Sequence, residues 1–234
     1  TTGEEHFCVG AKAFDAERLQ SKTAYVMDLS GPVGDCAVAA PTLITFSAEV
    51  VGKAAHAGFA PEDGVHAIQV AAAAVANLPS GRWGDVTVNV GTISGGRATN
   101  IVPDSCTVTG EIRALCHQDA LDRLNEIHSE FVEQAQAVDA KLNFNHTIHI
   151  TGYRVDTDAP VAQRFRRACE AVGVSPRFTD TYGGSDCNIL SAHGIQGLVV
   201  ATAMNNCHAV SEYTTVEELC KAGRLAQALM EKQD

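Results

Sequence analysis

The chain has no apolar run approaching the ~20 residues a membrane span requires, and its start is no signal peptide. There is no Cys-x-x-Cys pair, no Gly-Lys-Ser/Thr phosphate loop, no internal repeat and no low-complexity stretch. Cations are scarce: 17 Lys and Arg stand against 28 Asp and Glu, a formal net charge of −11. Neutralising phosphates takes clustered Lys and Arg, so nucleic acid is excluded as a partner, and the missing apolar run excludes a membrane. The 8 cysteines are scattered at Cys8, Cys36, Cys106, Cys116, Cys169, Cys187, Cys207 and Cys220. Without a secretory segment they read as reduced, small core residues of a cytoplasmic protein. No strand leads into the first motif either. A natural chain rarely opens inside a site, so the N-terminal part of the molecule is expected to be missing here.

What is present is enough for a large core and one or two domains, at 234 residues with 45% hydrophobic content. A helix-like run is expected from about Val9 to Ser21. A short strand from Thr23 to Met27 ends at Asp28, and another lies near Cys36 to Ala40. The character then changes. A strand over Leu43 to Val51 alternates Ile44, Phe46, Ala48 and Val50 against polar residues. A loop runs to Gly64, and a helix from Val65 to Leu78 is stopped by Pro79-Ser80-Gly81. Strands follow over Val86 to Ile93 and Ser105 to Ala114, then an amphipathic helix over Asp119 to Val138 and a strand over Lys141 to Ile150. Strand-helix-strand-strand-helix-strand is the order of a ferredoxin-like split βαβ module, inserted over 42–151. The flanks, 1–41 and 152–234, have α/β character. Their elements are a helix over Pro160 to Val172, a strand over Phe178 to Tyr182, a helix over Asn188 to His193, a strand over Gly197 to Ala203 and a last helix through Met230. Thr214 or Thr215 with Glu217 or Glu218 resembles a capping box for that helix.

Several residues invite a chemical reading. Thr1-Thr2-Gly3-Glu4-Glu5 puts two adjacent carboxylates after small, turn-prone residues; alone, they read as acids favoured at a helix start. Adjacent side chains diverge, so one could bind metal while the other faces substrate. Asp28 ends a strand and His208 follows one, and ligands collect beyond the carboxyl ends of strands in α/β enzymes. Alone, Asp28 reads equally as a turn former and His208 as a hydrogen-bonded structural residue. His56 is flanked by small residues that would let something come close. Asn100 and Arg113 could hold a substrate carbonyl and carboxylate. Gly183-Gly184-Ser185-Asp186 is a turn between strand and helix; its glycines permit positive φ and close backbone approach, and Ser185 or Asp186 could cap the helix. His117-Gln118-Asp119 has the spacing of a metal pair but opens a helix, with Asp119 as its cap. His128, His146 and His149 read as structural or exposed.

These motifs together resemble the two-metal peptidases and deacylases, the family of peptidase T, glutamate carboxypeptidase and acetylornithine deacetylase, and most closely its peptidase T-like branch. The resemblance rests on Thr1-Thr2-Gly3-Glu4-Glu5 with Val9-Gly10-Ala11-Lys12, Tyr25-Val26-Met27-Asp28 and Gly52-Lys53-Ala54-Ala55-His56-Ala57-Gly58. It continues through Ala98-Thr99-Asn100-Ile101-Val102-Pro103-Asp104, Glu111-Ile112-Arg113, Gly183-Gly184-Ser185-Asp186-Cys187-Asn188 and His208. It implies an α/β catalytic domain over 1–41 and 152–234, incomplete, with a mostly parallel sheet, and an inserted lid or dimerisation domain over 42–151. It implies two divalent metal ions, Zn with Mn or Co as alternatives, and a metal-bound hydroxide that cleaves the N-terminal residue from short peptides. Glu4 would be the general base, Glu5 and His208 would ligate one metal, and Asp28 the other. His56 would reach across a homodimer to the partner's oxyanion, and Asn100, Arg113, Gly183 and Gly184 would hold substrate.

The family also places a His-x-Asp and a bridging Asp ahead of the Glu-Glu pair. This chain has neither, so on its own it is expected to bind metal weakly or not at all and to be inactive. Two other functions fit the same residues: a deacylase or carboxypeptidase of N-acyl amino acids, and a dimerising module without catalysis.

Overall fold

The computed structural model describes residues 1–231. The chain divides into two compact units, one of Thr1–Pro41 with Ile150–Asp234 and the other of Thr42–His149. Among the described residues no helix is long and apolar enough to cross a membrane.

The first unit is built on strands β1 (Thr23–Ser30) and β2 (Asp35–Ala40), with helix α1 (Val9–Ala13) ahead of them. The second unit contributes β3 (Thr42–Val51), α2 (Ala67–Asn77), β4 (Gly81–Trp83), β5 (Val86–Gly95), β6 (Ser105–Ala114), α3 (His117–Gln136) and β7 (Lys141–Ile150). The chain returns to the first through β8 (Tyr153–Arg154), α4 (Pro160–Ala171), β9 (Arg177–Asp180), α5 (Asp186–Ala192), β10 (Gln196–Met204) and α6 (Val216–Met230).

In the first unit β1 runs parallel to β10, β10 antiparallel to β2, and β2 pairs β8 antiparallel and β9 parallel, giving a mixed sheet. The α/β class read from the sequence is borne out. β2 is buried along its whole length, and its run Cys36-Ala37-Val38-Ala39-Ala40 has no polar face to offer water. It packs with Leu198, Val199 and Val200 of β10 against Phe165 and Ala168 of α4 and Leu225 of α6. Tyr25 ties β1 to α4 by donating its hydroxyl to the Val161 carbonyl at 2.8 Å.

The second unit orders its strands β4-β5-β6-β3-β7, the ferredoxin-like arrangement with the short β4 added at one edge. β3 and β6 pair antiparallel over their full lengths, so Ile44, Phe46, Ala48 and Val50 share one face with Cys106, Val108 and Ile112. On α3, Ala120, Leu124, Ile127, Phe131 and Ala135 recur every three or four residues and close that core.

Some expectations need correction. The helix expected over Val9 to Ser21 stops at Ala13, followed by a one-turn helix at Ala16–Arg18; Phe14 is extended at the break, with ψ 134°. The first strand does not end at Asp28 but runs to Ser30. It carries Asp28 on a register shift between the Val26–Val199 and Leu29–Ala201 pairs. β4 and β8 have too few residues for a periodic signal. Asp119 lies inside the first turn of α3 and caps nothing; the cap position is Cys116, with no side-chain bond.

Candidate metal and catalytic site

Glu4 and Glu5 stand on a one-turn helix, Glu4–His6, rather than at the head of a long one. Gly3 enters it with φ 68°, where a side chain would be strained, and a Cβ there would sit 2.6 Å from Val9 Cγ2. The turn separates the two carboxylates. Glu4 is half-buried and accepts from the buried Cys8 thiol at 3.8 Å. Glu5 is exposed and reaches His208, with Oε1 3.6 Å from Nδ1.

His208 lies beyond the end of β10, in a loop closed by paired backbone bonds between Asn205 and Tyr213. Its N–H donates to Glu212 Oε2 at 3.1 Å. Its backbone is left-handed, φ 66°, as are Asn206 at 55° and Ala203 at 61°. The Glu4–Glu5 segment shows the same feature at Phe7 and Cys8, with φ 60° and 59°. Among the described residues Asp139 is the one other non-glycine residue with positive φ. Residues other than glycine adopt this conformation at a cost of order 1–3 kcal/mol each, and such strain gathers where a side chain must be aimed. The two strained loops bring the two candidate ligands together.

Asp28 belongs to the same group electrostatically. Loss of hydration holds its carboxyl above the usual carboxylate range, and the charges of Glu5 and Asp186 add to this; the chain's amino terminus and His208 oppose it. Glu4 is raised in the same way, first by desolvation, then by Asp28, Glu5 and Asp186. Burial, with Glu4 beside it, pushes the Cys8 thiol up to about 12, so it stays a donor. Acidic groups that hold each other's pKa values up are short of positive charge, which is the environment a divalent cation would relieve.

The sequence reading passed over Asp186 as a site residue. It is 8% exposed, its Oδ2 lies 2.8 Å from the amino group of Thr1, and its Oδ1 is buried without a partner. Its signal was its place beside Gly183-Gly184 in a motif otherwise explained by capping. The cap is Ser185, which accepts from the Cys187 N–H at 3.2 Å, while Asn188 Oδ1 takes the Ser185 N–H at 3.1 Å. Neither Gly183 nor Gly184 adopts the positive φ their pairing had suggested. Gly184 instead permits close approach, because a Cβ there would lie 2.2 Å from Ile150 Cδ1.

Three expected site residues lie in the second unit. His56 sits in the loop after β3, bridged to Ile101, and its Nδ1 accepts from the N–H groups of Gly58 and Phe59 at 3.1 and 3.2 Å. Asn100 is in the neighbouring loop, where its carbonyl takes the Ala57 N–H at 3.0 Å. Arg113, on β6, donates Nε to Glu111 Oε1 at 2.9 Å, so part of its fork is already engaged. Of the histidines read as structural or exposed, His149 Nε2 meets Thr45 Oγ1 at 2.8 Å, His128 lies against Phe144 and His146 is exposed; His117, from the His-x-Asp spacing, has its Nδ1 3.1 Å from Thr42 Oγ1.

Oxygen and imidazole donors without thiolate suit Zn, Mn or Co. Glu5 and His208 would hold one ion and Asp28 another, although no group of three or more donors among the described residues could hold a metal ion.

Residues 38–139 match the peptidase dimerisation domain. The structure is similar to the aminopeptidase PepT of Bacillus cereus, at 36% identity and TM-score 0.92 over 97% of this chain and 61% of that one. It is similar to a tripeptidase of Staphylococcus aureus, at 28% identity and TM-score 0.93 with the same coverage. A third likeness, to the Bacillus subtilis YxeP protein, a dinuclear metal-binding peptidase, covers 88% of this chain and 52% of that one. At 16% identity and TM-score 0.65 it shows the fold alone. The chain spans about three fifths of the first two proteins. The resemblance to the two-metal peptidases, in their peptidase T-like branch, is borne out.

Proposed function

From its place among the peptidase T-like relatives, we propose that this chain is part of a metal-dependent aminopeptidase that removes the N-terminal residue from short peptides. The observation that carries the reading is the meeting of Glu5 and His208 from opposite ends of the chain, with Glu4 and Asp28 in the same electrostatic field.

Glu5 and His208 would hold one ion and Asp28 would help to hold the second. When bound, such ions supply Lewis acidity and make a coordinated water acidic enough to ionise near neutral pH. Glu4 takes the proton of the attacking water. Its raised pKa brings it closer to the working pH of a general base, and the Cys8 thiol keeps its carboxylate oriented. Glu4 then returns that proton to the leaving amine. His56, from the second copy of a homodimer, donates to the carbonyl oxygen as it gains charge. Asn100 and the Gly183-Gly184 turn bind the peptide backbone, and Arg113 shares its fork between Glu111 and the substrate carboxylate. The unpaired cysteines suit a cytoplasmic, reducing setting.

The test is a substrate screen of the full-length protein that contains this chain, with zinc, manganese or cobalt supplied. Tripeptides should be cleaved with release of the N-terminal residue, and Glu4→Gln should abolish turnover. Preferential hydrolysis of N-acyl amino acids, or turnover retained in Glu4→Gln, would overturn the proposal.

A further inference from the structure

The loop that carries His56 contains a large apolar side chain that takes no part in either core. Phe59 is 85% exposed, yet its ring lies on the imidazole of His56, centroids 4.3 Å apart and planes 28° from parallel. Its backbone N–H, with that of Gly58, points at Nδ1 of the same imidazole. The main chain also fixes the turn: the His56 carbonyl accepts from the Ala60 N–H at 3.0 Å and shares the Phe59 N–H at 3.2 Å, and Ala57 is tied to the Asn100 carbonyl. A neutral imidazole carries one proton, and a nitrogen that accepts from two donors cannot carry it. The proton is then on Nε2.

We propose that Phe59 is a positioning residue for His56: its stacked ring and its amide, with the Gly58 amide, hold the imidazole as the Nε2–H tautomer, a fixed donor beside an exposed phenyl face. The group this arrangement suits is a carbonyl oxygen gaining negative charge next to an apolar side chain. The backbone amides select the tautomer, and the ring stops the imidazole from rotating out of their reach. This rests on the reading of His56 as an oxyanion donor only for its catalytic consequence; the tautomer and the role of the ring stand on the loop geometry.

The experiment is a long-range 1H–15N spectrum of the 15N-labelled chain at mildly alkaline pH, with the His56 signals identified among the 9 histidines by their loss in His56→Gln. One pyridine-like Nδ1 and one protonated Nε2 are expected for His56. Phe59→Ala should blur them into a tautomer average, and Phe59→Tyr should restore them. Phe59 is exposed, so neither variant threatens the fold. In the full-length enzyme Phe59→Ala should lower kcat, up to the ~100-fold that a misplaced group can cost, with KM nearly unchanged, and Phe59→Tyr should recover it. An Nδ1–H tautomer or an averaged signal in the wild type overturns the inference. So does a wild-type tautomer that survives Phe59→Ala. Spectra as expected, with turnover indifferent to His56→Ala, would uphold the positioning and sink the catalytic reading instead.

Discussion

The imidazole of His208 lies 3.6 Å from the carboxylate of Glu5, although one follows the last strand and the other precedes the first. The parallel pairing of β1 with β10 puts the carboxyl ends of both strands, with Asp28 and the loop of His208, at one end of the sheet; Glu5, ahead of β1, arrives there with α1, which packs on α5. Both side chains are about seven-tenths exposed, so as an ion pair they contribute little to stability.

Two donors make a weak metal site. Calorimetric titration of this chain with zinc should therefore show weak binding at most, and Glu5→Ala or His208→Ala should reduce whatever is seen by about tenfold or more. Two tightly bound ions would contradict the donor set drawn from these residues.

Desolvation, reinforced by charge repulsion within the group, gives a pH signature. The folded pKa values of Glu4 and Asp28 lie above their unfolded ones, so the native chain holds extra protons in the window that opens near pH 4. Their contribution stabilises the fold below that window, falls as pH rises through it and then levels off. Asp28→Asn should flatten the fall and raise the denaturation midpoint at pH 7, by no more than about 1 kcal/mol after solvent screening. Urea titrations at pH 4 and 7 measure this; a variant less stable than wild type at pH 7 would remove the repulsion argument.

Much of this was legible beforehand because the signals were local. The alternation in β3 and β6 and the spacing of Leu124, Ile127 and Phe131 each follow from one element meeting one core. Asp28 and His208 drew attention by residue type near strand ends, while the ligand roles given to them and to Glu5 came from the resemblance. Less was legible where the cause lies far along the chain. Asp28 was placed at a strand end because its polarity marks one, whereas pairing with β10 carries β1 to Ser30. The helix after Val9 was overextended because nothing in the composition marks the extended Phe14. Asp186 was passed over because burial of a carboxylate cannot be seen from its neighbours in sequence.

His56 offers a kinetic test of the proposed function. In the full-length enzyme His56→Ala should cost about 10²–10³ in kcat, the usual loss of one oxyanion donor. KM should change little, since the contact strengthens as charge develops. A loss under threefold would contradict the role.

Asn188 is expected to be a stability residue. It is 1% exposed, and its amide nitrogen donates to the carbonyls of Pro41 and Thr151 at 3.1 and 2.9 Å. Its oxygen closes the capping box of α5. Asn188→Ala leaves two buried groups without partners, the Pro41 carbonyl and the Ser185 N–H, each worth about 1–3 kcal/mol when unmet, so a loss of about 2 kcal/mol or more is expected in thermal or chemical denaturation. A loss below about 1 kcal/mol would mean that water replaces the side chain.

Two glycines separate packing from chemistry. At Gly110 a Cβ would lie 2.4 Å from the Phe46 ring and 2.5 Å from the Asn89 carbonyl oxygen, inside a sheet where neither can withdraw freely. Gly110→Ala should therefore destabilise by about 1–3 kcal/mol. At Gly184 the contact is with the tip of Ile150, a rotatable methyl, so Gly184→Ala should cost less than about 1 kcal/mol once that side chain turns. If the Gly183-Gly184 turn also lets a substrate backbone approach, Gly184→Ala should raise KM in the full-length enzyme while its melting temperature stays close to wild type. An alanine there that leaves both stability and KM unchanged would show that the turn is spacing between β9 and α5 and no part of the binding surface.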